Sequence, residues 1–489
     1  MRPRIPTVWR PRVPHGSVAR NLVVVGAGTA LGQGATVVAA PVLARLYDPQ
    51  AFGLLSVYAA VLSILVAIAS LRFDFAIPIA ADPDEAAHLL ALSMVLALGA
   101  SLVVGLVVLV WGAQITAALG AAALAPFLWL LPIALFVASV TQGLSSWAVY
   151  HRLFPALGRL RAVQGVALAG CQVVLGFVRA GTVGLMVGDV AGRIFGTGQL
   201  LRSLFESLRS TELTLRSVGR CARERWGFAR VMTAASLLGA VSLQVPFLLI
   251  PALFDLESSG QYFLAYRVLV LPASLVAAAV SQVFFGEASL RRADPRRLHD
   301  LAHNVAVSLF VFSIPTYGIV AVGGPALFEA VFGPQWGPAG LYAQIMAPSL
   351  VVWSVASPIS SLPLIGRRER ESLAFTAAEL GLRACSLGFG AMVHSLTAGL
   401  VALSLMAVLL NIAALWRFLR VASVTLRELV RPAGRISALT VPFMGMIVLA
   451  GQVAAEVVPL VSIVGWAIAL ALAARFSPEL RALVSGSHD

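Results

Sequence analysis

Two pairs of opposite charges inside long apolar stretches are the residues of this sequence best placed to do chemistry. Asp189 precedes Arg193 by four residues, and Glu379 precedes Arg383 by the same spacing. Residues four apart share one face of a helix, and an acid N-terminal to a base is the favourable order. A charge at a lipid-facing helix centre costs about 2.5–3.5 kcal/mol, so both pairs should face the protein interior. Each pair could be a structural tie between helices or part of a polar path.

Further arginines in or beside apolar stretches suit the binding of an anion, because the guanidinium stays charged and grips phosphate oxygens bidentately. Arg267 has no acidic residue three or four positions away, although it could instead extend to the membrane surface. Arg72 and Asp74 lie two apart near the end of the second apolar stretch, so we expect them on different faces of one helix. The arginines predicted to bind a substrate are Arg267, Arg72, Arg193, Arg383 and Arg45.

Carboxylates in the same cavity would moderate its field and could take up a proton or a sodium ion. The residues predicted for such ion coupling are Asp74, Asp189 and Glu379. The cysteines, Cys171, Cys221 and Cys385, are too few and too scattered for a disulfide framework or a metal site. No His/Asp or Ser/His spacing indicates catalysis, so we expect neither an enzyme nor a bound cofactor.

Composition places these charges in a membrane protein. The 489 residues are 59% apolar and 12% charged, with a mean hydropathy of +0.90, whereas soluble domains average about 25% charged residues. The net charge of +13 comes from arginines that are concentrated between apolar stretches. That distribution indicates membrane topology and argues against a nucleic-acid partner.

A membrane span needs about 20 mainly apolar residues, and the sequence predicts an all-α polytopic protein of about fourteen spans, with twelve as the alternative. The first span is longer than the apolar segment of a signal peptide, so we expect an uncleaved first helix. The predicted spans are 21–45, 52–80, 86–111, 115–149, 160–178, 181–201, 228–254, 261–288, 299–323, 338–365, 371–392, 396–417, 436–455 and 457–475.

The positive-inside rule sets the predicted orientation. With both termini in the cytoplasm, only Arg45 and Arg179 of the 35 basic residues lie outside, and three more fall within spans. All the others are then cytoplasmic. We therefore predict a multi-pass protein of the cytoplasmic (inner) membrane.

The chain also looks internally duplicated. Arg152 and Arg367 each lie 32 residues before a Gly-Leu pair, and Gly53 and Gly260 each follow a proline across a short turn. Two pseudo-symmetric six-helix bundles, plus two C-terminal helices, fit this spacing. The predicted divisions are a cytoplasmic tail 1–20, a bundle 21–201, a cytoplasmic linker with an amphipathic helix 202–227, a second bundle 228–420, two additional helices within 436–475, and a tail 476–489.

Four segments carry a family resemblance: PVLARLYDPQAFG (41–53), SLRFDFAIP (70–78), WAVYHRL (147–153) and FGPQWGPAG (332–340). In this order they resemble the polysaccharide-transport flippases of the multidrug/oligosaccharidyl-lipid/polysaccharide exporter superfamily, over residues 20–420. That family moves polyprenyl-pyrophosphate-linked oligosaccharides for O-antigen, exopolysaccharide or capsule. The resemblance implies two six-helix bundles around a central cavity with alternating access, and an acidic residue, here Asp74, at the end of the second helix.

The partners expected from this resemblance are a lipid-linked oligosaccharide and membrane lipids, with a polysaccharide polymerase and its chain-length machinery as further candidates. Two other transporters remain open: a cation-coupled drug antiporter and a flippase for the peptidoglycan precursor, both of the same superfamily. The arginines in or bordering spans favour an anionic substrate over a drug cation. A membrane polymerase or ligase would need a large outer loop, which the sequence lacks.

Overall fold

The computed structural model describes residues 15–208, 214–290, 294–360, 362, 369–453 and 457–476, and their regular structure is helical throughout. These residues form fourteen long helices, one for each predicted span. The helices are α1 His15–Leu46, α2 Pro49–Ala69, α3 Pro83–Ala118, α4 Leu130–Tyr150, α5 Phe154–Phe177, α6 Thr182–Leu208, α7 Leu215–Leu253, α8 Leu256–Leu290, α9 Pro295–Phe332, α10 Gly337–Ile359, α11 Glu369–Met392, α12 Leu396–Leu419, α13 Leu426–Val453 and α14 Val458–Phe476.

Eleven of these helices are long and apolar enough to cross a membrane. Of the other three, α14 has a shorter apolar stretch, Val458–Ala473, while α6 and α11 carry the two acid–arginine pairs. The chain is therefore a multi-pass membrane protein, and the predicted all-α fold is confirmed.

Three helices begin at an Asp-Pro dipeptide. Asp48, Asp82 and Asp294 each accept a hydrogen bond from a first-turn backbone N–H of α2, α3 and α9. The carboxylate satisfies an N–H that has no partner within the helix. Proline suits the first helical position, where its missing N–H costs nothing. The chain accordingly turns at Asp48-Pro49, between the end of α1 at Leu46 and the first residue of α2.

The second six helices repeat the packing of the first six. In the first half α1 packs on α5, α5 on α6, α6 on α4, and α4 on both α2 and α3. In the second half the helices six positions later pair in the same way, α7 with α11, α11 with α12, α12 with α10, and α10 with both α8 and α9. Helices α5 and α11 both have 24 residues and begin 215 residues apart. The two pseudo-symmetric bundles are therefore confirmed.

The two halves meet where α2 crosses α8, close to the first turn of each helix. A Cβ at Gly53 would overlap the carbonyl oxygen of Leu256, and one at Gly260 would overlap that of Pro49. The hydroxyls of Ser56 and Ser259 hydrogen-bond there at 2.8 Å. Only glycine allows this approach of two backbones, so the paired glycines fix the crossing point.

Loops of the chain gather at two opposite ends of the bundles. At the arginine-poor end, which holds the loops after α1, α3, α5, α7 and α9, the Trp336 indole donates to the Ala44 carbonyl at 2.8 Å. At the arginine-rich end, which holds the loops after α2, α4 and α12, Arg225 of α7 pairs with Glu85 of α3 at 2.7 Å. This segregation agrees with the alternating spans that the sequence predicts.

Two expectations about local structure are wrong. Residues 202–208 continue α6 and 215–227 belong to α7, while 209–213 lie outside the described residues, so the amphipathic linker helix is not a separate element. No proline interrupts α7 between its capping box at Thr214 and its apolar part. Helices α13 and α14 pack against α9 and against each other, outside the repeated pairs.

The second predicted span, 52–80, is also too long. Helix α2 ends at Ala69, and Phe73–Ile79 forms a 3₁₀ segment. Leu71 and Arg72 have φ of 45° and 56°, the left-handed region that an α-helix cannot contain. Apolar residues continue through the break, so hydropathy alone did not reveal it.

Candidate functional site

The first bundle encloses a cavity of about 560 Å³ near the arginine-rich end. It lies between α2, α4, α5, α6 and the 3₁₀ segment. Uncharged hydrogen-bonding side chains and two guanidiniums line it, and the polar members are Thr141, Gln142, Ser145, Ser146, Arg161, Gln164 and Arg193. We call it the first cavity. Among the described residues that line it there is no carboxylate, so its polar surface is suited to an anion.

The two arginines of the first cavity differ in their partners. Arg193 donates from Nε and Nη2 to the two oxygens of Asp189, at 2.9 and 3.1 Å, which is the bidentate pair that the sequence predicts. Arg161, on α5, is exposed and makes no hydrogen bond or ion pair with any described residue. Its charge is therefore available to a ligand in the cavity.

Arg267 belongs to the other half of the molecule and is not part of the first-cavity lining. It lies on α8, the helix that crosses α2, and the Asp189 carboxylate is close enough to act electrostatically on its guanidinium. Within the part of the chain that the structure describes, Arg267 makes no hydrogen bond. The buried Tyr58 hydroxyl of α2, also without a hydrogen-bond partner there, lies in the field of both Asp189 and Arg193. The Asp189 carboxylate is therefore the ion-pair partner of Arg193 and acts on Arg267 only at longer range.

Arg72 and Asp74 lie together in the wall of the first bundle, contrary to the expectation that they face apart. Asp74 is 1% exposed and accepts hydrogen bonds from Ser70 and from Gln142, the latter at 3.0 Å. Arg72 Nη1 lies 4.0 Å from Asp74 Oδ2, and the guanidinium covers the Phe75 ring at 4.6 Å. The left-handed turn at Leu71 and Arg72 brings the two charges to one side.

The second bundle encloses a smaller cavity of about 200 Å³ between α7, α8, α10, α11 and α12. We call it the second cavity. Its lining combines aromatic rings with polar side chains: Tyr262, Tyr266, Trp353, Ser349, Glu379, Arg383, Ser404 and Asn411. Here one carboxylate meets one guanidinium, so the lining is electrically balanced.

Glu379 and Arg383 form the second predicted pair. Arg383 Nη2 donates to Glu379 Oε1, and Nη1 donates to the Ser242 carbonyl of α7 at 3.1 Å. The guanidinium is thereby tied to two helices. Both pairs expected from the sequence are formed, but Arg383 has less freedom to turn towards a ligand than Arg161.

Arg45 lies away from both cavities. It is exposed at the end of α1 and donates to the carbonyls of Pro41 and Ala330, at 3.3 and 3.4 Å. The five predicted arginines therefore separate. Arg193 lines the first cavity, Arg383 the second, Arg267 lies between the halves, Arg72 lies in a wall, and Arg45 lies at the arginine-poor end.

Several polar residues of the site were not among the predicted ones. Arg161 was counted with the cytoplasmic arginines because it lies at the edge of the predicted fifth span, 160–178, whereas α5 already begins at Phe154. Gln142 and Gln164 were visible as amides inside predicted spans. Tyr262 and Tyr266 share the four-residue spacing of one helix face. That spacing could have shown which face of α8 is lined with aromatic rings.

The described residues contain no group of His, Cys, Asp or Glu that could hold a metal ion. Cys171, Cys221 and Cys385 are free thiols.

Comparison with known proteins gives a family and a fold. The family model described as "Polysaccharide biosynthesis protein" matches residues 42–340. A search of curated proteins finds no match. The solved structure "Lipid II flippase MurJ, inward closed conformation" has a TM-score of 0.73 and 14% identity, covering 95% of this chain and 100% of that chain. An inward-facing multidrug resistance MATE family transporter of the MOP superfamily has a TM-score of 0.59 and 15% identity, covering 83% and 98%. At such identities the likeness shows a shared fold.

Proposed function

This chain belongs to the polysaccharide biosynthesis protein family, and from that premise we propose that it is a flippase for a polyprenyl-pyrophosphate-linked oligosaccharide. It would carry this lipid from the cytoplasmic to the outer leaflet for the synthesis of a surface polysaccharide. No bond is broken in such a step, so the protein needs a polar path for the head group rather than catalytic residues.

The observation that carries the proposal is the excess of guanidinium over carboxylate around the first cavity. Arg161 and Arg193 line it with no carboxylate among the described lining residues, and Arg267 lies on α8, the helix of the other half that packs against α2. A pyrophosphate would offset the excess positive charge. Guanidinium groups bind phosphate oxygens bidentately and remain charged when partly buried, and the amides and hydroxyls of the lining add neutral hydrogen bonds.

The orientation follows from the distribution of arginine. The arginine-rich end is proposed to face the cytoplasm, with both chain termini on that side of the inner membrane. The first cavity lies near this end, where a lipid-linked head group made in the cytoplasm would enter. At the arginine-poor end the α2–α8 crossing and the Trp336–Ala44 hydrogen bond hold the halves together.

Alternating access would then separate these contacts and rock one six-helix bundle against the other. Asp74, Asp189 and Glu379 remain the proposed residues for coupling to a proton or a sodium ion. Asp74 differs from the other two because its hydrogen-bond donors, Ser70 and Gln142, are neutral and its arginine, Arg72, stays at 4.0 Å. Membrane lipids and a polysaccharide polymerase with its chain-length machinery remain the proposed partners.

The experiment is a flipping assay in proteoliposomes that contain a fluorescent polyprenyl-pyrophosphate disaccharide. Wild-type protein should move the lipid, and Arg267→Gln should slow its initial rate about tenfold. A hydrogen bond to a charged group contributes about 1.5–3 kcal/mol, and 1.4 kcal/mol corresponds to a factor of about ten.

Arg45→Gln is the matched control, because Arg45 lies away from both cavities, and its rate should stay within about twofold of wild type. If wild-type protein moved no lipid-linked sugar but pumped a cationic dye, the flippase proposal would be wrong and the drug antiporter would replace it. Transport of a peptidoglycan precursor in preference to the disaccharide lipid would replace the substrate and keep the mechanism.

A further inference from the structure

Helix α8 turns one surface to the second cavity and another towards the first bundle, against whose α2 it packs. Tyr262 and Tyr266, four residues apart, line the second cavity, while Arg267 is influenced by Asp189 of the first bundle. Successive residues of a helix point about 100° apart, so Arg267 and its neighbour Tyr266 face different sides of α8. Their Cα atoms are nevertheless only about 3.8 Å apart, so a head group whose pyrophosphate is held at Arg267 would have its attached sugar near Tyr266.

The aromatic lining of the second cavity suits a pyranose ring. The Tyr262 and Tyr266 rings are stacked with centroids 6.2 Å apart, Phe247 packs against both at 5.4 and 5.2 Å, and Trp353 lines the cavity. The electron-rich face of an aromatic ring attracts positively polarised hydrogens. One face of a sugar ring presents such C–H groups, so it can lie against a tyrosine or tryptophan.

The polar groups suit the sugar's hydroxyls. Glu379 supplies acceptors and Arg383 donors side by side, and Asn411 donates to the Ala407 carbonyl while its own oxygen stays available. The hydroxyls of Tyr262 and Tyr266 make no hydrogen bond with the described residues, yet they are not sealed from the cavity. Each can donate and accept. A ligand that both donates and accepts, as a hydroxyl does, matches this set.

The charge and the volume of the second cavity further limit the class of ligand that it can bind. The Glu379–Arg383 pair leaves the lining neutral, in contrast to the cationic first cavity, so a second anion gains little here. The volume of about 200 Å³ lies below the roughly 300 Å³ at which sites for drug-sized ligands begin. Such a space holds a single ring rather than an oligosaccharide.

We propose that the second cavity binds one neutral pyranose ring, the sugar attached directly to the pyrophosphate, between Tyr262, Tyr266 and the Glu379–Arg383 pair. This inference rests on the proposed function, because it assigns the sugar of the same lipid to a site in the other bundle. Arg267 would hold the pyrophosphate and the adjacent Tyr266 would contact the sugar. The protein would then bind a lipid that carries both groups more tightly than a lipid that carries only one of them.

The test compares two lipids on the purified full chain in nanodiscs: polyprenyl pyrophosphate bearing one neutral hexose, and the same lipid without the sugar. Tyr266→Leu should weaken binding of the sugar-bearing lipid about tenfold and leave binding of the sugar-free lipid within about twofold. Asn411→Leu should show the same pattern with a smaller loss. Arg267→Gln should weaken binding of both lipids equally.

Phe389→Leu, at a half-exposed position of α11, is the control for substituting an aromatic residue outside the cavity and should change neither affinity. Binding of the sugar-free lipid reports whether the Tyr266→Leu protein is folded. If that protein is not folded, the Asn411→Leu variant tests the sugar site in its place. Equal losses for the two lipids in Tyr266→Leu and Asn411→Leu, or no loss for either lipid, would overturn the sugar site and leave the flippase proposal standing.

A third titration separates this inference from the proposed function. If wild-type protein binds neither lipid, the flippase proposal fails. Free methyl hexopyranosides then test the cavity alone. Saturable binding that is lost in Tyr266→Leu and kept in Phe389→Leu would support the sugar site, and an absence of binding to wild-type protein would refute it.

Discussion

The first and second cavities occupy bundles with the same helix packing, but they differ in charge. The first has Arg161 and Arg193 in its lining and no carboxylate, whereas the second balances Glu379 against Arg383. Because α5 and α11 are offset by 215 residues, Gln164 of the first corresponds to Glu379 of the second. The two bundles therefore share one arrangement of helices, and the lining residues that differ between them determine which ligand each cavity favours.

Arg267 illustrates the same lesson. Helices α2 and α8 begin 207 residues apart, at Pro49 and Leu256, and the glycines Gly53 and Gly260 keep that offset. The counterpart of Arg267 in α2 is Ala60. The glycines that are equivalent in the two halves hold the helices together. Arg267 has no charged equivalent in α2, so it adds a positive charge on α8 alone.

The largest expected effect is a loss of stability at the α2–α8 crossing, where the two bundles meet. Gly260→Ala should place a Cβ into the Pro49 carbonyl oxygen, which is backbone and cannot rotate away. Overpacking of this kind costs typically 1–3 kcal/mol, and we expect about 3 kcal/mol here, measured as a lower midpoint of thermal unfolding in detergent.

Gly99→Ala is the control, because a Cβ at Gly99 meets nothing within 4 Å. It should stabilise the helix by about 1 kcal/mol. Equal midpoints for Gly260→Ala and the wild type would show that the α2–α8 crossing is not the close contact described.

The next largest effect is expected from a substitution that makes the charge of the first cavity resemble that of the second. Gln164→Glu adds to the first cavity the carboxylate that the second cavity has at its corresponding position. The new charge would compete for Arg161 and Arg193, so affinity for sugar-free polyprenyl pyrophosphate should fall about tenfold, which is about 1.4 kcal/mol. The matched variant Asn411→Asp adds a carboxylate to the second cavity and should leave that affinity within about twofold. If Asn411→Asp caused the larger loss, the anion site would have been assigned to the wrong bundle.

A smaller effect, in the opposite direction, is expected when a carboxylate is removed. Asp189→Asn frees Arg193 from its ion-pair partner, so binding of the same lipid should tighten about fivefold, since a partly exposed ion pair is worth up to about 1 kcal/mol. Glu379→Gln should have no such effect. Tightening by Glu379→Gln alone, measured by the same titration, would reverse the comparison between the cavities.

Local sequence rules were sufficient for the features that depend on neighbours along the chain. Hydropathy predicted all fourteen helices, and the four-residue spacing predicted the pairs Asp189–Arg193 and Glu379–Arg383. Each of these depends on a single helix and its ends. The offset of Gly53 and Gly260 also indicated the repeat, because a duplicated bundle needs the same close contact twice.

Features that depend on contacts between helices or on an unusual backbone could not be predicted in the same way. Arg72 and Asp74 meet only because two residues adopt positive φ, which an apolar pattern does not show. Arg161 belongs to a cavity because α5 begins earlier than hydropathy suggests. Tyr266 and Arg267 are adjacent in sequence, and only the packing of α8 between the bundles separates their surroundings.

The most direct test of the central claim measures the affinity of sugar-free polyprenyl pyrophosphate for wild type, Arg161→Gln and Arg383→Gln in nanodiscs. Each variant removes one guanidinium from one cavity, so the two are matched in chemistry. We expect Arg161→Gln to lose about tenfold in affinity, because a charge-assisted phosphate contact contributes about 1.5–3 kcal/mol, and Arg383→Gln to lose less than about twofold. A large loss in Arg383→Gln with none in Arg161→Gln would contradict the placement of the pyrophosphate in the first cavity.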